Sequence, residues 1–234
     1  MNEEPAIPID AAGTGNLLDL LAAGGPIMYV LAGLSVLAMA IVFAKMLQTL
    51  MRGAGTGART DAALKAWEDG RAEDALGLLR RDRSLAAPAL ACAIEGGSAG
   101  RLPEATIREE ASRLAQRELD GMASGLKTLA MVATLSPLLG LLGTVIGMID
   151  AFRAMEAAGN RVDPSVLSGG IWVALLTTAA GLVVAIPAAA AHGLLEARVD
   201  RAAGSLEDAL TRVFTRAPAV REGAGRADHA LAAE

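Results

Sequence analysis

Three apolar runs of membrane-crossing length, Pro26–Ala44, Leu126–Ile149 and Val166–Ala191, dominate the chain. Each is close to the roughly 20 residues that cross a hydrocarbon layer about 30 Å thick. Lipid offers backbone N–H and C=O groups no partner, so such runs are driven into helices that satisfy those groups internally. The second and third runs hold no carboxylate, and the third places Thr177 and Thr178 side by side near its middle. A hydroxyl pair at that depth points to a protein-lined or wet interface. A mean hydropathy of +0.42 is too apolar for an ordinary soluble domain of 234 residues. With 3% aromatic residues, a soluble core would have to rest on Ala, Leu and Val. The expected fold is an all-α integral membrane protein with three transmembrane helices, two of them extended into a helical cytoplasmic domain. The first run starts too far from the N-terminus, and lacks the basic flank, to read as a cleaved signal peptide.

Basic residues set the expected orientation. The first 25 residues contain no Lys or Arg, whereas Arg52, Arg59, Lys65 and Arg71 open a long basic stretch between the first two runs, and Arg198, Arg201 and Arg212 follow the third. The positive-inside rule then puts the N-terminus and the short second connection outside, and the large loop and tail in the cytoplasm. The expected organisation is a periplasmic N-terminus with a short amphipathic helix over 1–25, transmembrane helices over 26–50, 126–149 and 166–191, and a cytoplasmic helical domain over 51–125. A periplasmic loop covers 150–165, a cytoplasmic helical extension 192–217, and an unstructured tail 218–234. Lys45 is expected to reach the headgroups. Thr60-Asp61 reads as an N-cap, Gly70 and the Gly96-Gly97 pair read as breaks, and a long helix is expected from Pro103 through the second span.

The residues give no enzyme signature. No phosphate loop, apolar carboxylate pair or nucleophile–histidine spacing occurs, so no catalytic residue and no cofactor is expected. A net charge of -5 argues against nucleic acid as a partner. A single cysteine, Cys92, and two distant histidines, His192 and His229, give no metal site and no internal disulfide. What the spans do show is helix packing. Gly140, Gly143 and Gly147 fall on one face of the second, and Ala174, Thr178, Gly181 and Ala185 on one face of the third. Pro137 and Pro187 are expected to kink their helices, Pro137 leaving carbonyls 133 and 134 available. Small-residue packing is the plain reading of these glycines, and a bond to the carbonyl one turn back is the plain reading of a membrane threonine. Thr144, Thr177 and Thr178 together suggest an ion-pathway lining.

The segment SPLLGLLGTVIGMIDAF (Ser136–Phe152), followed by GGIWVALLTTAAGLVVAIPA (Gly169–Ala188), closely resembles the MotA/TolQ/ExbB proton-channel family. The opening GGPIMYVLAGLSVLAMAIV (Gly24–Val42) is similar to the first span of the ExbB/TolQ branch, and three spans rather than four favour that branch over flagellar stators. The resemblance implies an inner-membrane energy-transducing subunit that forms a homo-pentamer around single-span partners of the ExbD/TolR type. Such a partner carries a membrane Asp that takes up and releases the ion. The pore face then falls on Thr144 and Thr178. Relatives commonly carry Glu where this chain has Val173, and often Thr where it has Leu135. No ionisable side chain of this chain therefore lies deep in the membrane, and any titrating acid must come from a partner. Stator-type relatives are also apolar at the Val173 position, so conduction is compatible with it. The alternatives are a non-conducting oligomeric scaffold of the same family and an unrelated three-span transporter subunit.

Overall fold

The computed structural model describes residues 21–22, 24–52, 57–100, 102–158 and 164–231. The amphipathic segment expected before the first span falls almost wholly outside them, as does the middle of the connection between the second and third spans. Among the described residues the regular structure is helical and contains no strand. The helices are α1 (Gly25–Arg52), α2 (Ala58–Glu68), α3 (Ala72–Arg80), α4 (Ala87–Ala99), α5 (Glu104–Ala123), α6 (Leu126–Ala158) and α7 (Pro164–Leu231). Among the described residues three stretches are long and apolar enough to cross a membrane, one each in α1, α6 and α7. Pro26 sits in the first turn of α1, where a missing N–H costs nothing. The chain divides into two compact units. The span unit holds Thr128–Ala191 and the chain up to Ile41, and the head unit holds Val42–Lys127 and His192–Glu234.

The head unit is built around an alanine-rich core. Ala63, Leu64, Trp67, Leu79, Leu90, Ala93, Ile94, Ile107, Ala111, Leu206 and Val213 are all buried in one cluster drawn from α2, α3, α4, α5 and the distal part of α7. Trp67 is its largest member, and its indole N–H donates to the Val213 carbonyl at 3.1 Å. Burial of that ring is tolerable because its one polar group has a partner. Beside it Arg212 meets Glu68 at 2.9 Å, and the Arg108 guanidinium lies 4.3 Å from the centre of the Phe214 ring. The α2–α3 hairpin closes at Gly70 (φ +80), with the Gly70 and Arg71 amides donating to the Trp67 and Ala66 carbonyls. That pair of bonds is a Schellman ending, which requires the left-handed residue that glycine supplies.

Several local expectations are corrected by this packing. Gly96 and Gly97 do not break α4, which runs on to Ala99 and ends at Gly100 in the left-handed region. A Cβ at Gly96 would lie 2.7 Å from Ile107, and one at Gly97 would lie 3.5 Å from the Trp67 ring. Gly96 thus serves close approach rather than a turn, while a Cβ at Gly97 would meet Trp67 only at ordinary contact distance. The long helix expected from Pro103 is interrupted: α5 stops at Ala123, Gly125 takes φ +80, and α6 starts at Leu126. The span helices also extend beyond their apolar cores. α6 reaches Ala158, and α7 continues through Pro218 to Leu231, so the expected start of an irregular tail does not coincide with a helix end. Alanine and arginine are frequent there and favour helix.

Thr60 is not the N-cap of α2, whose cap is Gly57. It is fully buried one turn in, and its hydroxyl donates to Asp82 Oδ2 at 2.7 Å. The same carboxylate accepts the Ser84 amide at 2.9 Å and the Ser84 hydroxyl at 3.0 Å. Burial opposes ionisation of Asp82, but the bonds from Thr60 and Ser84 and the nearby Arg59 charge outweigh it and hold the carboxyl below its usual range. A folded-state value below the unfolded one means that the stabilisation is present above the unfolded value, about 3.9, and is lost as pH falls through the folded value. Thr60→Val removes one of the bonds that lower it. We expect the acid-unfolding midpoint to move to higher pH, with a loss of about 1–2 kcal/mol at neutral pH, read by circular dichroism in detergent. A midpoint unchanged by the substitution contradicts this assignment.

Candidate ion-pathway helices

The span unit brings α6 and α7 together along the two small-residue faces. A Cβ at Gly140 would stand 2.9 Å from the Thr177 carbonyl oxygen and 3.0 Å from Thr178 Cα. One at Gly181 would stand 2.6 Å from the Ser136 carbonyl oxygen and 3.2 Å from Gly140 Cα. At Gly143 it would overlap the Thr177 side chain, and at Gly147 it would reach Ala174 Cβ at 3.4 Å. At Gly140 and Gly181 backbone thus faces backbone, at a separation that only glycine allows. Gly170, opposite Ala151, extends the seam toward the connection between the helices. Ala174 and Ala185 on the same face of α7 are buried. Both helices stay continuous through Pro137 and Pro187. Each proline removes one N–H, so the carbonyl four residues earlier, Ala133 or Val183, lacks its helical donor.

The hydroxyls of these two helices have their protons already placed. Thr177 Oγ1 donates to the Ala174 carbonyl at 2.8 Å, with the Gly140 carbonyl at 3.4 Å across the helix pair. Thr178 Oγ1 donates to the same Gly140 carbonyl at 3.2 Å. Thr144 donates to Leu141 within its own helix at 2.7 Å, and Ser136, fully buried, to Val132 at 2.7 Å. A threonine hydroxyl has one proton and two lone pairs. Once the proton is committed to a carbonyl, the oxygen can only accept, from water or toward a cation.

The three threonines differ in access. Thr177 is 1% exposed and closed into the seam. Thr144 and Thr178 are only partly buried, as is Val173, one turn before Thr177. The bonds join Thr177 and Thr178 at the Gly140 carbonyl, while Thr144 bonds only within α6. Among the described residues no group of three His, Cys, Asp or Glu side chains could hold a metal ion. The carbonyl of Gly140 as a shared acceptor and Ser136 beneath Gly181 escape sequence reading. Glycine spacing signals close approach, but not which carbonyl the facing hydroxyls take.

The seam makes a specific demand on Gly181. Gly181→Ala drives a methyl against the Ser136 carbonyl, which backbone cannot yield cheaply, and is expected to cost about 1–3 kcal/mol. Gly169→Ala meets nothing within 4 Å and is the control; there alanine should be neutral or stabilise by up to about 1 kcal/mol. Thermal unfolding in detergent reads both. Equal effects at the two positions contradict the seam.

Comparison with known proteins carries the same pattern outward. Residues 83–208 match the sequence profile described as the MotA/TolQ/ExbB proton channel family. A biopolymer transport protein exbB1 of Vibrio cholerae is 42% identical over 109 residues, 46% of this chain and 48% of that protein. An ExbB homolog of Methanothermobacter thermautotrophicus is 30% identical over 188 residues, 80% of this chain and 65% of the other. The Tol-Pal system protein TolQ of Haemophilus influenzae is 36% identical over 133 residues, 54% and 56% of the two chains. The matched part thus spans about half to two thirds of these relatives' own lengths.

Proposed function

We propose, for a chain that belongs to the MotA/TolQ/ExbB proton channel family and to its ExbB/TolQ-like branch, that it is an ion-channel subunit of the inner membrane. It couples proton motive force to transport or envelope work. The supporting observation is the acid-free α6–α7 pair, on which Thr178 and Thr144 are only partly buried and have hydroxyl oxygens whose protons go to carbonyls. Such oxygens suit water or a passing cation but cannot themselves take up a proton near neutral pH. The titrating group is supplied in trans, by a single-span ExbD/TolR-type partner with a membrane Asp. Five copies surround the partner helices, the N-terminus faces the periplasm and the C-terminus the cytoplasm. Thr177, enclosed in the seam, holds the helix pair together at the same level. The family and the named relatives carry the names of channel and transport proteins, which supports binding and conduction as the work of this chain.

A second reading has its own observation. Every one of these hydroxyls already has an acceptor within the protomer, and Val173 brings no acid. On that reading the subunit is a non-conducting oligomeric scaffold, and the threonines only close helix backbones.

Ion flux separates the two. With the chain and its partner in proteoliposomes, Thr144→Val with Thr178→Val should lower proton or sodium uptake by roughly tenfold or more, since each lost water contact raises the barrier. Assembly with the partner should persist. Val173→Glu should change the pH dependence of flux, because it adds a carboxyl beside the pathway. Flux unchanged by the valine pair makes the hydroxyls structural, and absence of any flux with the partner present supports the scaffold.

A further inference from the structure

Lys45 lies near the end of the apolar helix α1, where its surroundings in the sequence predict a side chain extended toward lipid headgroups. The structure turns it inward instead. Lys45 is 9% exposed, and its Nζ donates to the Gly121 carbonyl at 3.2 Å, the Met122 carbonyl at 3.1 Å, the Ser124 hydroxyl at 2.9 Å and Gln48 Oε1 at 3.0 Å. Three of these acceptors belong to the last turn of α5 and the residue that follows it. The Ser124 hydroxyl gives its own proton to the Gly121 carbonyl at 2.8 Å, which leaves its oxygen free to accept from the ammonium.

This is the place where the chain leaves the helix. Ser124 is extended (ψ 136), Gly125 has φ +80, and α6 begins at Leu126. The last carbonyls of an α-helix have no amide donors of their own, and their partial negative charge favours a cation. Gly121 and Met122 are two such carbonyls. A buried ammonium is costly unless its protons are satisfied, and the oxygens of Gly121, Met122, Ser124 and Gln48 help to meet that condition. The two needs meet: the helix end offers carbonyls without amide donors, and the ammonium offers the donors. Sequence separations of 76 to 79 residues between Lys45 and these acceptors make the contact tertiary rather than local.

We propose that Lys45 is a positioning residue, a C-terminal cap delivered to α5 by the first apolar helix, which fixes where α5 ends and α6 begins. The inference stands independently of ion conduction. It also explains why the break falls at Ser124–Gly125 although Gly121 offers an earlier one: Gly121 stays helical, and its carbonyl is held by both Lys45 and Ser124.

Amide hydrogen exchange, followed by mass spectrometry on the full chain in detergent or nanodiscs, tests this directly. Lys45→Met keeps the stem and removes the donors. Exchange in the last turn of α5 should then accelerate by about tenfold or more, the scale of one lost charge-assisted bond, while α4 keeps its protection. Lys45→Arg, which retains charge and donors, should restore most of the protection. Ser124→Ala should give a smaller acceleration at the same amides, and combining it with Lys45→Met should add little to Lys45→Met alone. Wild-type exchange in Lys45→Met overturns the proposal, as does acceleration spread equally over α4. Should Lys45→Met fail to fold, Ser124→Ala decides: acceleration confined to the end of α5 supports the cap, and none overturns it.

Discussion

The absence of side-chain atoms at Gly140 and Gly181 is the constraint on which the membrane-spanning part depends. With a methyl at either position, the α7 backbone could not sit against the α6 carbonyls. At the observed separation the Gly140 carbonyl comes within reach of two α7 hydroxyls, and the Ser136 carbonyl lies directly over Gly181. Lipid does not drive such helices together as water would, so contact must be won by close packing and by interhelical hydrogen bonds. Glycine provides the first and, by exposing a carbonyl, makes room for the second. Moving the helices apart would therefore cost both terms at once, which is why a single added methyl is consequential here and harmless at Gly169.

The head unit meets a different problem with similar residues. Its core is rich in alanine, so the burial of large side chains rests on residues spread over its helices, among them Trp67, Leu90, Ile94, Ile107, Leu206 and Val213. Small residues let the helices approach, and the few polar groups enclosed there are matched: the Trp67 indole to Val213, Thr60 to Asp82, Lys45 to the end of α5. No enclosed side-chain nitrogen or oxygen among the described residues lacks a partner. Buried polar groups that are fully satisfied specify one arrangement where an alanine core alone would allow sliding.

Much of this was legible in the chain. Run length and apolar content give three spans because lipid admits few alternatives, and glycine periodicity gives the facing sides of α6 and α7 because helix geometry is regular. The motif around Gly143-Thr144 and Thr177-Thr178 gave the family. What escaped were features decided by residues distant in sequence. Lys45 reads as a headgroup lysine because its acceptors Gly121, Met122 and Ser124 lie 76 to 79 residues further along the chain. Thr60 read as a cap because its true partner is Asp82. Gly96-Gly97 reads as a break because Ile107, whose side chain needs the space at Gly96, is not a neighbour in the chain. Threonine was recognised as a polar member of the seam, but burial separates Thr177 from Thr144 and Thr178, and burial is a tertiary property.

The close approach of α6 and α7 can be measured without reference to any activity. A Cβ at Gly147 would stand 3.4 Å from that of Ala174, at the short end of the roughly 3.5–4.5 Å that a disulfide spans. In a Cys92→Ser background, Gly147→Cys with Ala174→Cys should cross-link within one chain under mild oxidation, losing both thiols to labelling without forming dimers. Two thiols that stay reactive, or that pair only between chains, would contradict the glycine seam and everything built on it.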